Sequence, residues 1–252
     1  MISVLLPCAM SNHYHAVIFD RLGTYPQFLE HFNKMFARSQ NALRGRWENF
    51  WSSEQVCVVK LVDREAVLDK LVYTVYTATN PVKDHLVDRV HHWPGVNGLQ
   101  ALVKGRTLRA VRPRHFFRAN GPMPAEVELT LAIPPELGAA AEVLAELEHR
   151  VRAVEAQVAA ERQRTGQRVC GRRAVLQQSW RGQPVSREPR RNLRPSVAAR
   201  NQWARLEALL RNREFIIAYT EARKTWREDA TVKFPPGTYW LRRFVNVPVA
   251  EN

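Results

Sequence analysis

Ser11-Asn12-His13-Tyr14-His15-Ala16-Val17-Ile18-Phe19 is the stretch on which the fold turns. Ala16 to Phe19 is apolar and rich in β-branched residues, a composition that favours an extended segment. Side chains alternate between the faces of a strand, so His13 and His15 share one face while Tyr14 and Ala16 take the other. Two neutral imidazoles on one face can hold a divalent cation, leaving positions for a third protein ligand and for substrate oxygens. In a chain with eight histidines the same triplet also arises on an ordinary surface strand. Upstream, Ile2 to Cys8 is a second apolar run. The four residues Ala9-Met10-Ser11-Asn12 between the two runs predict adjacent strands joined by a tight connection.

A second stretch, Tyr73-Thr74-Val75-Tyr76-Thr77-Ala78-Thr79-Asn80-Pro81-Val82-Lys83, bears on the first. Tyr76 and Asn80 are four residues apart, so on a helix they point the same way with Cβ atoms about 6 Å apart. A nucleophile and a metal ligand would then face one centre. Asp63 fits an N-cap for this helix, with Val67, Leu71 and Val75 as its apolar stripe. Pro81 is expected to end it, because a residue before proline is pushed out of the α region, which places Asn80 at the helix terminus. Tyr73 lies seven residues from Asn80 and is expected to pack.

Asn12-His13-Tyr14-His15, followed by a helix carrying Tyr76 four residues before Asn80-Pro81-Val82, resembles the HUH single-tyrosine transposases, and most closely the REP-associated tyrosine transposases. Their motifs read Pro-Asn-His-X-His and Tyr-Ile-His-X-Asn-Pro-Val, so Ala78 stands where that family often has histidine. The resemblance covers about residues 1 to 90. It implies a ferredoxin-like antiparallel sheet flanked by helices, in which a further strand and helix usually precede the strand pair that begins here at Ile2. It also implies Tyr76 as nucleophile, with His13, His15 and Asn80 holding Mg²⁺ or Mn²⁺. The substrate it implies is single-stranded or hairpin DNA near repetitive palindromes, in the bacterial cytoplasm at the nucleoid.

Charge leads toward the same partner independently. A formal net charge of +14 and a pI near 10.4 call for something acidic to relieve the self-repulsion, nucleic acid first, with a ribosomal or membrane-surface role also open. Cys8, Cys57 and Cys170 are far apart with no CxxC pairing, the usage of a reducing compartment without a zinc finger or disulfide framework. The opening Met1 to Leu6 lacks a basic leader and reads as a strand rather than a signal peptide. No later run approaches a membrane span.

The rest of the chain divides, on sequence, into a catalytic domain at 1–118 and a basic, mainly helical extension at 119–252. The class expected is α+β. Tyr25 to Leu43 has helical apolar spacing with Pro26 in the first turn, and Gln55 to Val62 reads as a strand. Between them, Arg44, Arg46 and Trp47, with Phe50 and Trp51, either stack bases along a phosphate backbone or close the core at a loop. Lys83 is assigned to nucleic acid with them. Residues 87–117 read as an irregular basic segment with one or two strands, in which at most one of His91 and His92 could face a given site. The Gly/Pro-punctuated link Ala119 to Pro124 marks the boundary. Beyond it come a strand at Glu126 to Ile133 and a long helix from Leu137 to about Gln163, striped with Val143, Leu147, Val151, Val154 and Val158.

Residues 168–213 carry twelve arginines against two glutamates. There Arg187, Arg190, Arg191 and Arg194, broken by Pro189 and Pro195, read as a loop along phosphates or a solvated charged loop. A helical region from Val197 to Trp226 and a short strand at Leu241 to Val245 complete the expectation. A homodimer stays open. The rival to a transesterase is a non-catalytic, transposase-derived DNA-binding protein. A nucleotide hydrolase of the histidine-triad type would need histidine where Val17 stands.

Overall fold

The computed structural model describes residues 2–52, 56–62, 67–182, 196–199 and 201–251, a mixture of helix with three two-stranded sheets. β1 (Ile2–Ala9) and β2 (Tyr14–Asp20) form an antiparallel hairpin in which Cys8 lies opposite His15 and Ala9 opposite Tyr14. The register slips between Val4 and Leu6, so Leu5 is the extra residue of a bulge. The slip lets two successive leucines, Leu5 and Leu6, both be buried where strict alternation would expose one. The connection closes through Met10 N–H to the His13 carbonyl at 2.8 Å.

α1 (Tyr25–Arg44) follows, with Pro26 in its first turn and Gly45 ending it in the left-handed conformation at φ 60°. Tyr14, on the outer face of β2, donates its hydroxyl to Asn33 Oδ1 at 2.9 Å and meets the Phe32 ring edge-on. Trp51 completes this cluster against Tyr14 and Phe36, and its indole N–H donates to the Asn33 carbonyl at 2.9 Å. Of the strand expected at Gln55 to Val62, Gln55 lies outside the described residues, and among the described residues 56–62 the strand is β3 (Lys60–Leu61).

α2 (Val67–Lys83) lies against the inner face of the hairpin. Leu71, Thr74, Val75, Ala78 and Val82 form its buried stripe at helical spacing. Pro81 lies within this helix rather than ending it, which corrects the expected terminus. Proline withholds its own N–H and crowds the carbonyl four residues back, which costs most in a helix interior. Here the helix continues only two residues to Lys83, and the Pro81 carbonyl accepts from both Leu86 and Val87 N–H. The expected N-cap, Asp63, lies outside the described residues.

A 3-10 turn at Val90–His92 and α3 (Leu99–Val103) lead to β4 (Leu108–Val111), paired antiparallel with β5 (Glu126–Leu129). α4 (Ala140–Thr165) then packs on α2. Its buried Val143, Leu147, Val151 and Val158 are four of the five residues expected to form its stripe, and Val154 packs against the same core. The core that contains Leu5, Leu6, Val75 and Val82 also contains Leu131, Leu137, Leu147 and Val151. The link at 119–124 is therefore a surface turn, and the elements on its two sides share one core. The boundary expected at 118/119 does not divide it.

α5 (Arg172–Gln177) is short. β6 (Val197–Ala198) pairs parallel with β3. Among the described residues no third strand adds to the β1–β2 hairpin, which carries only an isolated bridge between Cys8 and Asn97. α6 (Gln202–Thr225) begins at an Asn201 cap whose side-chain oxygen accepts from Trp203 and Ala204 N–H. A small second core holds Ala222, Phe234 and Val247. The final apolar run is helix α7 (Trp240–Val245), not the strand expected at Leu241 to Val245. A six-residue stretch whose apolar residues are interrupted by Arg242 and Arg243 has no periodicity long enough to distinguish the two. Among the described residues no helix is long and apolar enough to cross a membrane.

Candidate active site

β2 and α2 bring the two motifs together because the inner face of one packs on the other. His13, one residue before β2, and His15, within it, meet edge-to-face with ring centroids 4.9 Å apart. The Tyr76 ring then meets the His15 ring edge-to-face at 5.7 Å. Asn12 Oδ1 accepts from His13 Nδ1, 2.7 Å away, and so fixes the direction in which that imidazole faces. Burial first, and the neighbouring His13 second, hold His15 below the usual imidazole pKa. This favours the neutral imidazole, the form whose lone pair can bind a cation.

The two ends of the Tyr76–Asn80 turn differ sharply. Tyr76 is 44% exposed, at the rim, whereas Asn80 is only 5% exposed. The Asn80 Nδ2 has no hydrogen-bond partner. An unsatisfied buried amide costs about 1–3 kcal/mol, so a partnerless one calls for an explanation. A half-turn of the amide would put its oxygen where the nitrogen lies, and a carbonyl oxygen is what a hard cation accepts. Two imidazoles and one amide therefore suit Mg²⁺ or Mn²⁺ by their donor chemistry. Among the described residues no group of three or more His, Cys, Asp or Glu comes together.

Lys83 was read from sequence as a nucleic-acid contact. Its Nζ lies 4.6 Å from the centre of the Tyr76 ring, one further turn along α2 beyond Asn80. Burial lowers its pKa from the ordinary lysine value. The ammonium favours negative charge on the phenol beneath it. Nothing in the sequence signalled this, since seven residues separate the two and only a complete helix through Pro81 brings them together. Tyr73, expected to pack, is instead 38% exposed. His92 hydrogen-bonds Asp88 at 2.6 Å and its ring meets His91.

Beneath the site, Asn97 ties α2 to β1. Its Nδ2 donates to the Ala78 carbonyl at 2.9 Å and lies 3.6 Å from Cys8 Sγ, while its Oδ1 accepts from Leu99 N–H at 3.1 Å. Asn97 was not singled out from the sequence, because a lone asparagine in a loop carries no signal.

Of the remaining predicted contacts, Arg46 pairs with Glu48 at 2.8 Å, Arg44 packs over the Trp180 ring at 4.8 Å, and Trp47 is 97% exposed. The two readings of this aromatic stretch thus divide by residue: Phe50 and Trp51 pack onto α1, and Trp47 does not. Arg187, Arg190, Arg191 and Arg194 lie outside the described residues. No protein-family model, no curated protein and no solved structure matches the chain.

Proposed function

We propose that this chain is a metal-dependent single-stranded DNA transesterase of the HUH single-tyrosine kind, resembling the REP-associated tyrosine transposases and working at the bacterial nucleoid. On this reading the β1–β2 hairpin and α2 are part of a ferredoxin-like arrangement. The observation that carries it is the contact between Tyr76 and His15: a solvent-accessible phenol beside a half-buried imidazole whose exposed neighbour His13 meets it edge-to-face, one helical turn from an amide nitrogen lacking a partner.

His13, His15 and Asn80 would hold Mg²⁺ or Mn²⁺, which when bound supplies a Lewis acid for the non-bridging oxygens of the scissile phosphate. Tyr76 gives its proton to solvent, and Lys83 stabilises the resulting phenolate. The phenolate oxygen forms a bond to phosphorus as the bond to the 3′-oxygen breaks. The departing oxygen takes a proton from water, leaving a free 3′-OH and a 5′-phosphotyrosine. Because one ester replaces another, the phosphodiester energy is kept, and attack by a 3′-OH reverses the step and frees Tyr76. Asn97 holds α2 at its distance from β1 and so positions the nucleophile.

The rival is a DNA-binding protein without chemistry, favoured by the net charge of +14 and the arginine–tryptophan contacts remote from Tyr76. End-labelled hairpin DNA with a single-stranded flank, incubated with the protein and Mn²⁺ and run under denaturing conditions, separates the two. The transesterase gives a protein–DNA adduct that EDTA and Tyr76→Phe each abolish. Tight binding with no adduct at any metal concentration identifies the binder.

A further inference from the structure

Gly45 turns the chain out of α1, and the four residues that follow fold back on the helix end. Arg46 N–H donates to the Asn41 carbonyl at 3.0 Å, and Asn41 Nδ2 donates to the Glu48 carbonyl at 2.8 Å. The loop is pinned at both sides of Trp47, yet the indole itself is 97% exposed. A large apolar side chain held in water by a fixed loop gains nothing for the fold.

The same helix end carries a second indole from far along the chain. Residues 179–182 form a turn closed by Gly182 N–H to the Ser179 carbonyl at 3.0 Å and by Arg181 N–H to Ser179 Oγ at 3.2 Å. Trp180 and Arg181 occupy its centre. The Arg44 guanidinium lies 4.8 Å from the Trp180 ring centre and that of Arg181 lies 5.0 Å from it, while 51% of Trp180 stays open to solvent. Two indoles and two guanidiniums are thus gathered around one helix terminus, with Arg46 alongside but already paired to Glu48.

We propose that the end of α1 and the 179–182 turn together form a stacking platform for single-stranded nucleic acid, with bases on the Trp47 and Trp180 indoles and phosphates on Arg44 and Arg181. Indoles stack on any base and guanidiniums pair with any phosphate, so the platform binds without reading sequence. Duplex DNA keeps its bases stacked on each other and offers only phosphates, so the indoles give the platform its preference for single strands. A net charge of +14 makes a polyanion the partner that this surface fits, ahead of an apolar protein face. The proposal rests on the nucleic-acid reading above and extends it to Trp180 and Arg181. It does not require Tyr76 chemistry.

The test uses the full chain carrying Tyr76→Phe, so that binding is read without any covalent step. Affinities for a fluorescent oligothymidylate and for a duplex of equal length are measured by anisotropy across a salt series. Trp47→Ala with Trp180→Ala is expected to weaken single-strand binding about tenfold or more while duplex binding stays within about twofold. Arg44→Gln with Arg181→Gln is expected to weaken both and to flatten the salt dependence by about one to two phosphate contacts. Single-strand affinity unchanged in the double tryptophan variant overturns the platform, as does an equal loss on duplex. Trp47→Ala alone guards against a folding artefact, because that side chain touches nothing, and it too should show the selective loss. An adduct in the parent chain without tryptophan-dependent binding would remove the platform and leave the transesterase. Tryptophan-dependent binding without an adduct would do the reverse.

Discussion

Asn80 is buried with its amide nitrogen unpaired, and that cost has to be offset by something. If the amide serves a cation, removing it should help the empty fold and harm the activity. Asn80→Leu is expected to raise the unfolding free energy in EDTA by about 1 kcal/mol, measured by urea titration, while abolishing Mn²⁺-dependent adduct formation. Loss of stability together with activity would instead make Asn80 a structural residue. A second residue-scale expectation concerns thiols. Burial pushes the Cys8 pKa up to about 11 from 9.0, an effect that its weaker hydrogen bond to Asn97 only partly opposes, whereas Cys57 and Cys170 are exposed. Raising the pH from 8 to 9 therefore leaves Cys8 as a thiol. Native protein should take up two equivalents of a thiol reagent and the denatured chain three, as counted by mass spectrometry. The residue scale was also the most legible in sequence. His13, His15 and Tyr76 lie side by side; alternation on a strand paired the histidines, and it was the family resemblance that implied Tyr76 beside them. Lys83 over Tyr76, Asn97 under Ala78 and Trp180 on Arg44 depend on contacts made by chain segments whose local sequence gives no hint of them.

At the scale of elements, the site depends on how closely α3 and the loop before it approach β1. Gly98 N–H donates to the Pro7 carbonyl at 2.8 Å, and a Cβ there would lie 2.5 Å from Pro7 Cδ and 2.7 Å from Leu131 Cδ1. Neither neighbour is free to move, since one is a proline ring and the other is in the core. Gly98→Ala is expected to cost about 1–3 kcal/mol in thermal or urea unfolding, and wild-type stability would show that β1 and the 97–98 turn are not packed as described. Elements with long periodicity were legible: α1 and α4 follow their apolar stripes to within a few residues. Short elements were not. The stretch at 241–245 is helix, and most of the described residues 56–62 are not strand, because stretches this short satisfy either period. Pro81 misled for a different reason. A proline near the end of a helix withholds one donor from a helix with only two more residues to run, and its own carbonyl still accepts from the Leu86 and Val87 amides.

For the whole molecule, the motif-bearing segment shares its core with the half that follows it. Its α2 is covered by α4, and Leu131, Leu137, Leu147, Val151 and Val158 complete the core that begins with Leu5 and Leu6. A fragment of residues 1–118 is accordingly expected to lack a cooperative melting transition by circular dichroism, where the full chain shows one. A cooperative fragment would restore the boundary read from composition at 118/119. That boundary was read from a Gly/Pro-rich link, which marks a turn on the surface and says nothing about which side chains meet beneath it. The account as a whole rests on Tyr76 being the atom donor to phosphorus, and one measurement addresses that directly. Protein incubated with hairpin DNA and Mn²⁺ is digested with nuclease and trypsin, and the peptide spanning residues 71–83 is fragmented in a mass spectrometer. Nucleotide mass joined through a phosphate to Tyr76, with Tyr73 unmodified, is the predicted result. Nucleotide on Tyr73 or elsewhere, or an unmodified 71–83 peptide from DNA that has been cut, would contradict it.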